Sequence, residues 1–161
     1  MRSLTKMQVA ILDQRRVAAV ATNGRDRMPH LTAVWFLFDG ESFYLAIPSS
    51  SAKARNLRRD QNMTLMIEVR ESGKELGVSA SGVAQLLEGE EGHKFAALVH
   101  EKYLTQEALS DPDVGPKFAA FDDVAIRLTP TRWITWDMGA LDQQAFGGKL
   151  AARSYLKPLE P

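Results

Sequence analysis

Lys53, Arg55, Arg58 and Arg59 place four cations within seven residues, directly behind the hydroxyls of Ser49, Ser50 and Ser51. Hydroxyl, ammonium and guanidinium groups at the opening of a helix make a phosphate site, because the free first-turn N–H groups and the helix dipole add to the side-chain charge. The run SSSAKARNLRRD over residues 49–60 has that form: it is polar, basic and helix-forming, and Pro48 ahead of it stops a strand at Ile47. Composition alone favours a blander reading, a solvated basic helix face. Both readings stand at this point.

Other chemistry is sparse. The three histidines are His30, His93 and His100. His93 and His100 are seven residues apart, too far for the i, i+4 spacing of a metal pair, and no third ligand accompanies them, so no metal site is expected. His30, in a strand, is a weak candidate for an acid–base role beside its ordinary use as a structural hydrogen-bonder. No G-x-S-x-G elbow, G-x-G-x-x-G turn or P-loop occurs. The absence of cysteine excludes thiol nucleophiles, disulfides and cysteine-ligated clusters. Lys+Arg and Asp+Glu both number 20, so neither nucleic acid nor a membrane surface is an expected partner.

The elements that must position these groups are mostly strands. An amphipathic helix over residues 5–15, with Met7, Ala10, Ile11 and Leu12 on one stripe, precedes a short apolar run at 16–22 closed by Asn23-Gly24. Runs at 28–38, closed by Asp39-Gly40, and at 42–47, stopped by Pro48, complete what reads as an antiparallel meander. After the basic helix, strands are expected at 62–69 and 78–87, helices at 90–103 and around 115–121, and strands at 124–129 and 132–136. Six or seven strands without regular βαβ alternation argue for a mainly β fold with inserted helices, a barrel or a sandwich. Trp35, Phe36, Phe38, Trp133 and Trp136 then read as core aromatics, except that alternation sends Trp35 and Phe36 opposite ways, one of them toward a pocket or partner. Residues 1–161 read as one domain, with a Gly- and Pro-punctuated tail over 138–161 that either frays or folds over a partner subunit, docking through Leu150, Tyr155, Leu156 and Leu159. MRSLTKMQVAILDQRR lacks the apolar core of a signal peptide, and no run approaches the roughly 20 apolar residues of a membrane span, so a cytoplasmic protein is expected.

In order and spacing, RVAAVAT at 16–22, MPHLTAVWF at 28–36, SAKARNLRRD at 51–60, SGVA at 81–84 and RWITWD at 132–137 resemble the split-barrel flavin- and deazaflavin-binding family related to pyridoxamine 5′-phosphate oxidase. The resemblance implies a six-stranded antiparallel split barrel and a homodimer with cofactor sites at its interface. It implies that Ser50, Ser51 and Lys53, with Arg55 and Asn56 close behind, hold a cofactor phosphate, which reverses the balance between the two readings of the basic helix. The strand Pro29 to Phe36, with His30, Thr32, Val34 and Trp35, would run along the isoalloxazine ring, and Trp136 of a second copy would close the site. The Arg and Lys of the R-x-V-L-L-K pattern are absent from residues 30–36, and the C-terminal arginine and histidine motif is absent from 139–161. The chain therefore does not resemble a true pyridoxamine 5′-phosphate oxidase. PHLTAVWF and AKARNLRRD look more like the branch that uses the deazaflavin coenzyme F-420, a pattern shared with FMN-binding relatives. The implied activity is hydride transfer between that cofactor and a small organic substrate. A non-catalytic flavin, deazaflavin or haem carrier of the same fold is the alternative.

Overall fold

A computed structural model describes residues 4–153 and 155–158; Leu159 of the expected tail anchors lies outside the described residues. Eight strands are present among them: β1 (Val17–Asn23), β2 (Pro29–Trp35), β3 (Leu37–Phe38), β4 (Phe43–Pro48), β5 (Asn62–Val69), β6 (Leu76–Leu87), β7 (Asp123–Leu128) and β8 (Arg132–Asp137). All pair antiparallel in the order β2-β1-β5-β6-β7-β4-β3, and β8 joins β6 off that path. The twelve-residue β6 belongs to both halves of the barrel. Its first part pairs β5 and β8, and its last four residues, Ala84 to Leu87, pair β7.

The count is eight where the sequence offered seven runs and the resemblance implied six, and the strand added to the seven comes from a break at one residue. The apolar run at 28–38 does not stay one strand: Phe36 leaves the ladder between β2 and β3 and is wholly buried. A buried backbone must still be hydrogen-bonded. The Tyr103 hydroxyl meets that need, accepting from the Phe36 N–H at 3.2 Å and donating to the Arg16 carbonyl. Lys102 Nζ sits 4.2 Å from the Phe36 ring centroid and donates to the Leu12 carbonyl. The break carries the chain from one sheet to the other, so β2 pairs β1 while β4 pairs β3 and β7. The expected three-strand meander is thus two hairpins in different sheets.

Alternation fills the interior. Ala18 and Val20 of β1, Leu65 and Ile67 of β5, Val78 and Ala80 of β6 and Val124, Ile126 and Leu128 of β7 point inward with Phe36 and Phe43. Each large side chain buried this way contributes about 1.5–3 kcal/mol. α1 (Lys6–Asp13) starts at a Thr5–Gln8 capping box and adds Ile11 and Leu12 to the core. Met7 and Ala10 of the expected stripe face solvent instead, and Gln8 is buried with Ile11 and Leu12.

α2 (Ala52–Arg59) packs against β1, β4 and β6, and its Ala54 and Leu57 enter the barrel core. α3 (Gly89–Tyr103) lies on the outer side of β4 and β7, where Phe95 stacks on Tyr44 at 4.1 Å. α4 (Gln106–Ser110) and α5 (Gly115–Ala119) follow in the same connection. The tail folds into α6 (Met138–Phe146) and α7 (Lys149–Ala152), joined by the Asp142 carboxylate, which accepts from the Leu150 and Ala151 N–H groups. Leu156 and Ala151 pack on Gly73 in the β5–β6 turn of the same chain. Among the described residues no helix is long and apolar enough to cross a membrane.

Candidate cofactor site

Helix α2 opens as its sequence requires. Pro48 ends β4, and the Ser51 hydroxyl caps the helix by accepting from the Ala54 N–H at 3.2 Å. The N–H groups of Ala52 and Lys53 in this first turn have no intrahelical acceptor. The helical period then sorts the side chains: Lys53, Ala54, Asn56 and Leu57 are buried, while Arg55, Arg58 and Arg59 are exposed.

Lys53 is 9% exposed, and its ammonium donates to the Thr32 hydroxyl on β2. It makes no ion pair among the described residues, and burial pushes its pKa below the ordinary lysine value. Asn56, one helical turn on, donates to the Thr22 hydroxyl of β1 at 3.0 Å. Thr22 pairs with His30 across the β1–β2 ladder, and His30 shares a face with Thr32 and Val34. A seam of Lys53, Asn56, Thr22, His30 and Thr32 therefore joins α2 to the first hairpin. An ammonium this far out of water, with only a hydroxyl for company, is a cation in want of an anion.

Outside the seam the charge thickens. A cavity of about 640 Å³ is lined by Arg25, Arg55, Asn56, Arg58 and Arg59. Arg58 is tied to Glu88 at 2.7 Å and to the Ser49 carbonyl at 3.0 Å, and Arg59 donates to the Asn23 carbonyl. Arg55 reaches back to the carbonyl of the exposed Ser50. Arg25 and Thr22 are the contributors that sequence reasoning missed. The signal was present in the Asn23-Gly24 turn, whose tip the hairpin register carries to the side of α2.

The remaining expected residues fall elsewhere. Pro29 begins β2 at the exposed turn end, paired with Asn23. Trp35 stacks on Tyr103 with ring centroids 4.8 Å apart, and Phe36 lies in the core, so neither side chain joins Lys53. Trp136 lies four strands from β2 in the sheet, its indole flat against Gly77 of the neighbouring β6. Within one chain it does not meet Lys53.

The outer face of the same sheet carries one charged side chain in two rows of five. One row across five strands reads Ala33, Ala19, Met66, Ser79 and Ile134, and the next reads Leu31, Ala21, Thr64, Ser81 and Arg132. Leu31 and Ile134 are 64% and 50% exposed on it.

A family profile described as pyridoxamine 5′-phosphate oxidase matches residues 4–137. Among solved structures, a conserved hypothetical protein of Mycobacterium tuberculosis is 32% identical, with a TM-score of 0.69 over 86% of this chain and 88% of that one. A protein described as an F420 reductase is 20% identical, with a TM-score of 0.60 over 81% of this chain and 98% of its own. HutZ, the haem storage protein of Vibrio cholerae, is 17% identical, with a TM-score of 0.63 over 83% and 94%. These likenesses agree with the split barrel described above. Among curated proteins no match is found.

Proposed function

The chain belongs to the pyridoxamine 5′-phosphate oxidase family, and from that premise we propose that it is an oxidoreductase transferring a hydride between a bound deazaflavin (coenzyme F-420) or FMN and a small organic molecule. The observation that carries the reading is Lys53, a buried lysine at the opening of a helix with no carboxylate partner among the described residues. Both cofactors present one phosphate on a flexible chain, and a phosphate beside Lys53 would meet the ammonium, the Ala52 and Lys53 N–H groups and the Ser50 hydroxyl together.

The residues present fit such a group. The tricyclic ring supplies the hydride chemistry when bound. Lys53 and Arg55 hold the phosphate, while the His30, Thr32 and Val34 face of β2 orients the ring edge. Asn56 keeps Thr22, and through it the His30 register, in place. In this reading the outer sheet face takes a second copy, and Trp136 of that copy closes the site.

A carrier that holds the group without turnover is the second reading. It is favoured by one observation: on the inward face of β2, His30 is the sole acid–base side chain beside Thr32 and Val34. Titrating the purified protein with FMN, reduced deazaflavin and haem, then adding a panel of electron acceptors, separates the two. Cofactor-dependent reduction of any acceptor supports the enzyme, binding of any of the three without turnover supports the carrier, and failure to bind any of them overturns both.

A further inference from the structure

Two histidines on α3 play no part in the cofactor site. His100 is buried, as is Asp123 at the start of β7, and its Nε2 lies 3.3 Å from the Asp123 Oδ2. Together they form one wall of a cavity of about 380 Å³ between α3 and the α4–α5 segment. The cavity is outside the barrel. Val124 and Ile126 of β7 point into the core and Ala125 lies under α3, so alternation turns Asp123 to the α3 side. It shares no lining residue with the arginine-lined cavity beside α2.

Its walls have a definite character. The Phe118 ring meets the His100 imidazole edge-on at 5.1 Å, and Phe121 meets Phe118 at 5.2 Å. Phe121 is nonetheless 49% exposed, an aromatic surface left unfilled at the rim. The charged lining groups are the carboxylates of Glu101 and Asp123, accompanied by the imidazoles of His93 and His100. No lysine or arginine lines the cavity, although Lys94 and Lys117 adjoin lining residues in sequence.

We infer that this cavity binds a small aryl- or heteroarylalkyl amine, its ring against Phe118 and Phe121 and its ammonium toward Asp123 and Glu101. Its volume is that of an ordinary small-molecule pocket, and its apolar walls with a few convergent polar groups are the usual composition of one. Ring faces and carboxylates both attract a cation. His100 leaves the Asp123 carboxylate with acceptor capacity to spare, since a carboxylate takes several hydrogen bonds and the imidazole uses one. An anionic analogue of the same shape would face two carboxylates with no lysine or arginine among the described lining residues, and it is rejected on charge.

Tryptamine and indole-3-acetate, which share a ring and differ in charge, are the probes. Each is titrated into the full-length protein by calorimetry, and into the Ala97→Trp variant, which fills the cavity from an exposed lining position. The expected result is saturable tryptamine binding, at least tenfold weaker indole-3-acetate binding, and at least tenfold loss of tryptamine affinity in the variant. FMN affinity should be the same in both proteins. A second variant, Glu101→Gln at an exposed position, should narrow the gap between the two probes without unfolding the chain. Absence of tryptamine binding, equal binding of the two probes, or tryptamine binding that ignores the filled cavity would overturn the assignment.

Discussion

Lys53 and Thr32 join α2 to the edge strand of the sheet: a buried lysine donates to a hydroxyl, with no carboxylate in ion-pair reach among the described residues. Burial depresses the lysine pKa, so the folded state favours the uncharged amine. While the group is protonated, at pH below that depressed value, it weighs against folding, and the penalty fades as pH rises toward the ordinary 10.5. Lys53→Met should therefore leave the ligand-free protein equally or more heat-stable at neutral pH. The same change should weaken FMN or deazaflavin binding by at least about tenfold, since hydrogen bonds to charged groups contribute about 1.5–3 kcal/mol. A variant that melts lower and binds undiminished would show Lys53 to be structural.

Tyr103→Phe removes the hydroxyl that serves both Phe36 and Arg16, at an expected cost of about 1–3 kcal/mol for buried groups left unpaired. Burial raises the phenol's pKa, the Phe36 backbone bond opposing in part. Folding therefore favours the protonated phenol. That stabilisation is whole below the ordinary value of 10.0 and is lost as pH climbs through the raised one. Denaturant midpoints measured across alkaline pH should fall for the native chain and fall less for the variant.

A Cβ on Gly77 would lie 2.0 Å from Cζ2 of Trp136. Gly77→Ala should lift the indole off β6, shift tryptophan emission to longer wavelength and destabilise the chain by roughly 1–3 kcal/mol, the usual cost of overpacking. An unchanged emission spectrum would mean that the ring finds room where it lies.

Leu31→Glu combined with Ile134→Glu puts charge on the outer sheet face at positions already exposed in the single chain. The folded monomer should tolerate both. Sedimentation should show the native chain as a dimer and the double variant as a monomer, with cofactor affinity reduced in parallel. A monomeric native chain would remove the dimeric part of the functional reading.

Much of this was readable from local chemistry. The β5 limits and the serine cap of the basic helix follow from alternation and capping preference, whereas the burial of Lys53 had to wait for the packing of α2 on the barrel. The exit of Phe36 from its ladder does not. The run at 28–38 is continuously apolar through that point, and the group that allows the break is a hydroxyl 67 residues away in sequence. The two tail helices were hidden for a similar reason: they depend on Asp142, a buried carboxylate whose partners are backbone N–H groups of the following helix. Arg25 needed the hairpin register before it could be set beside α2. Non-local hydrogen bonds, more than side-chain types, account for what the sequence concealed.

The Tyr103 clamp also decides how far this chain can be shortened. The segment between β6 and β7 looks like a removable excursion, since a barrel needs only a turn to join two antiparallel neighbours. Splicing Leu87 to Asp123 would strip the Phe36 amide and the Arg16 carbonyl of their shared partner and uncover the Phe36 ring that Lys102 shields. A designer seeking a minimal version of this barrel would do better to trim the C-terminal helices, which pack on the β5–β6 turn at Gly73, and to leave the internal excursion whole.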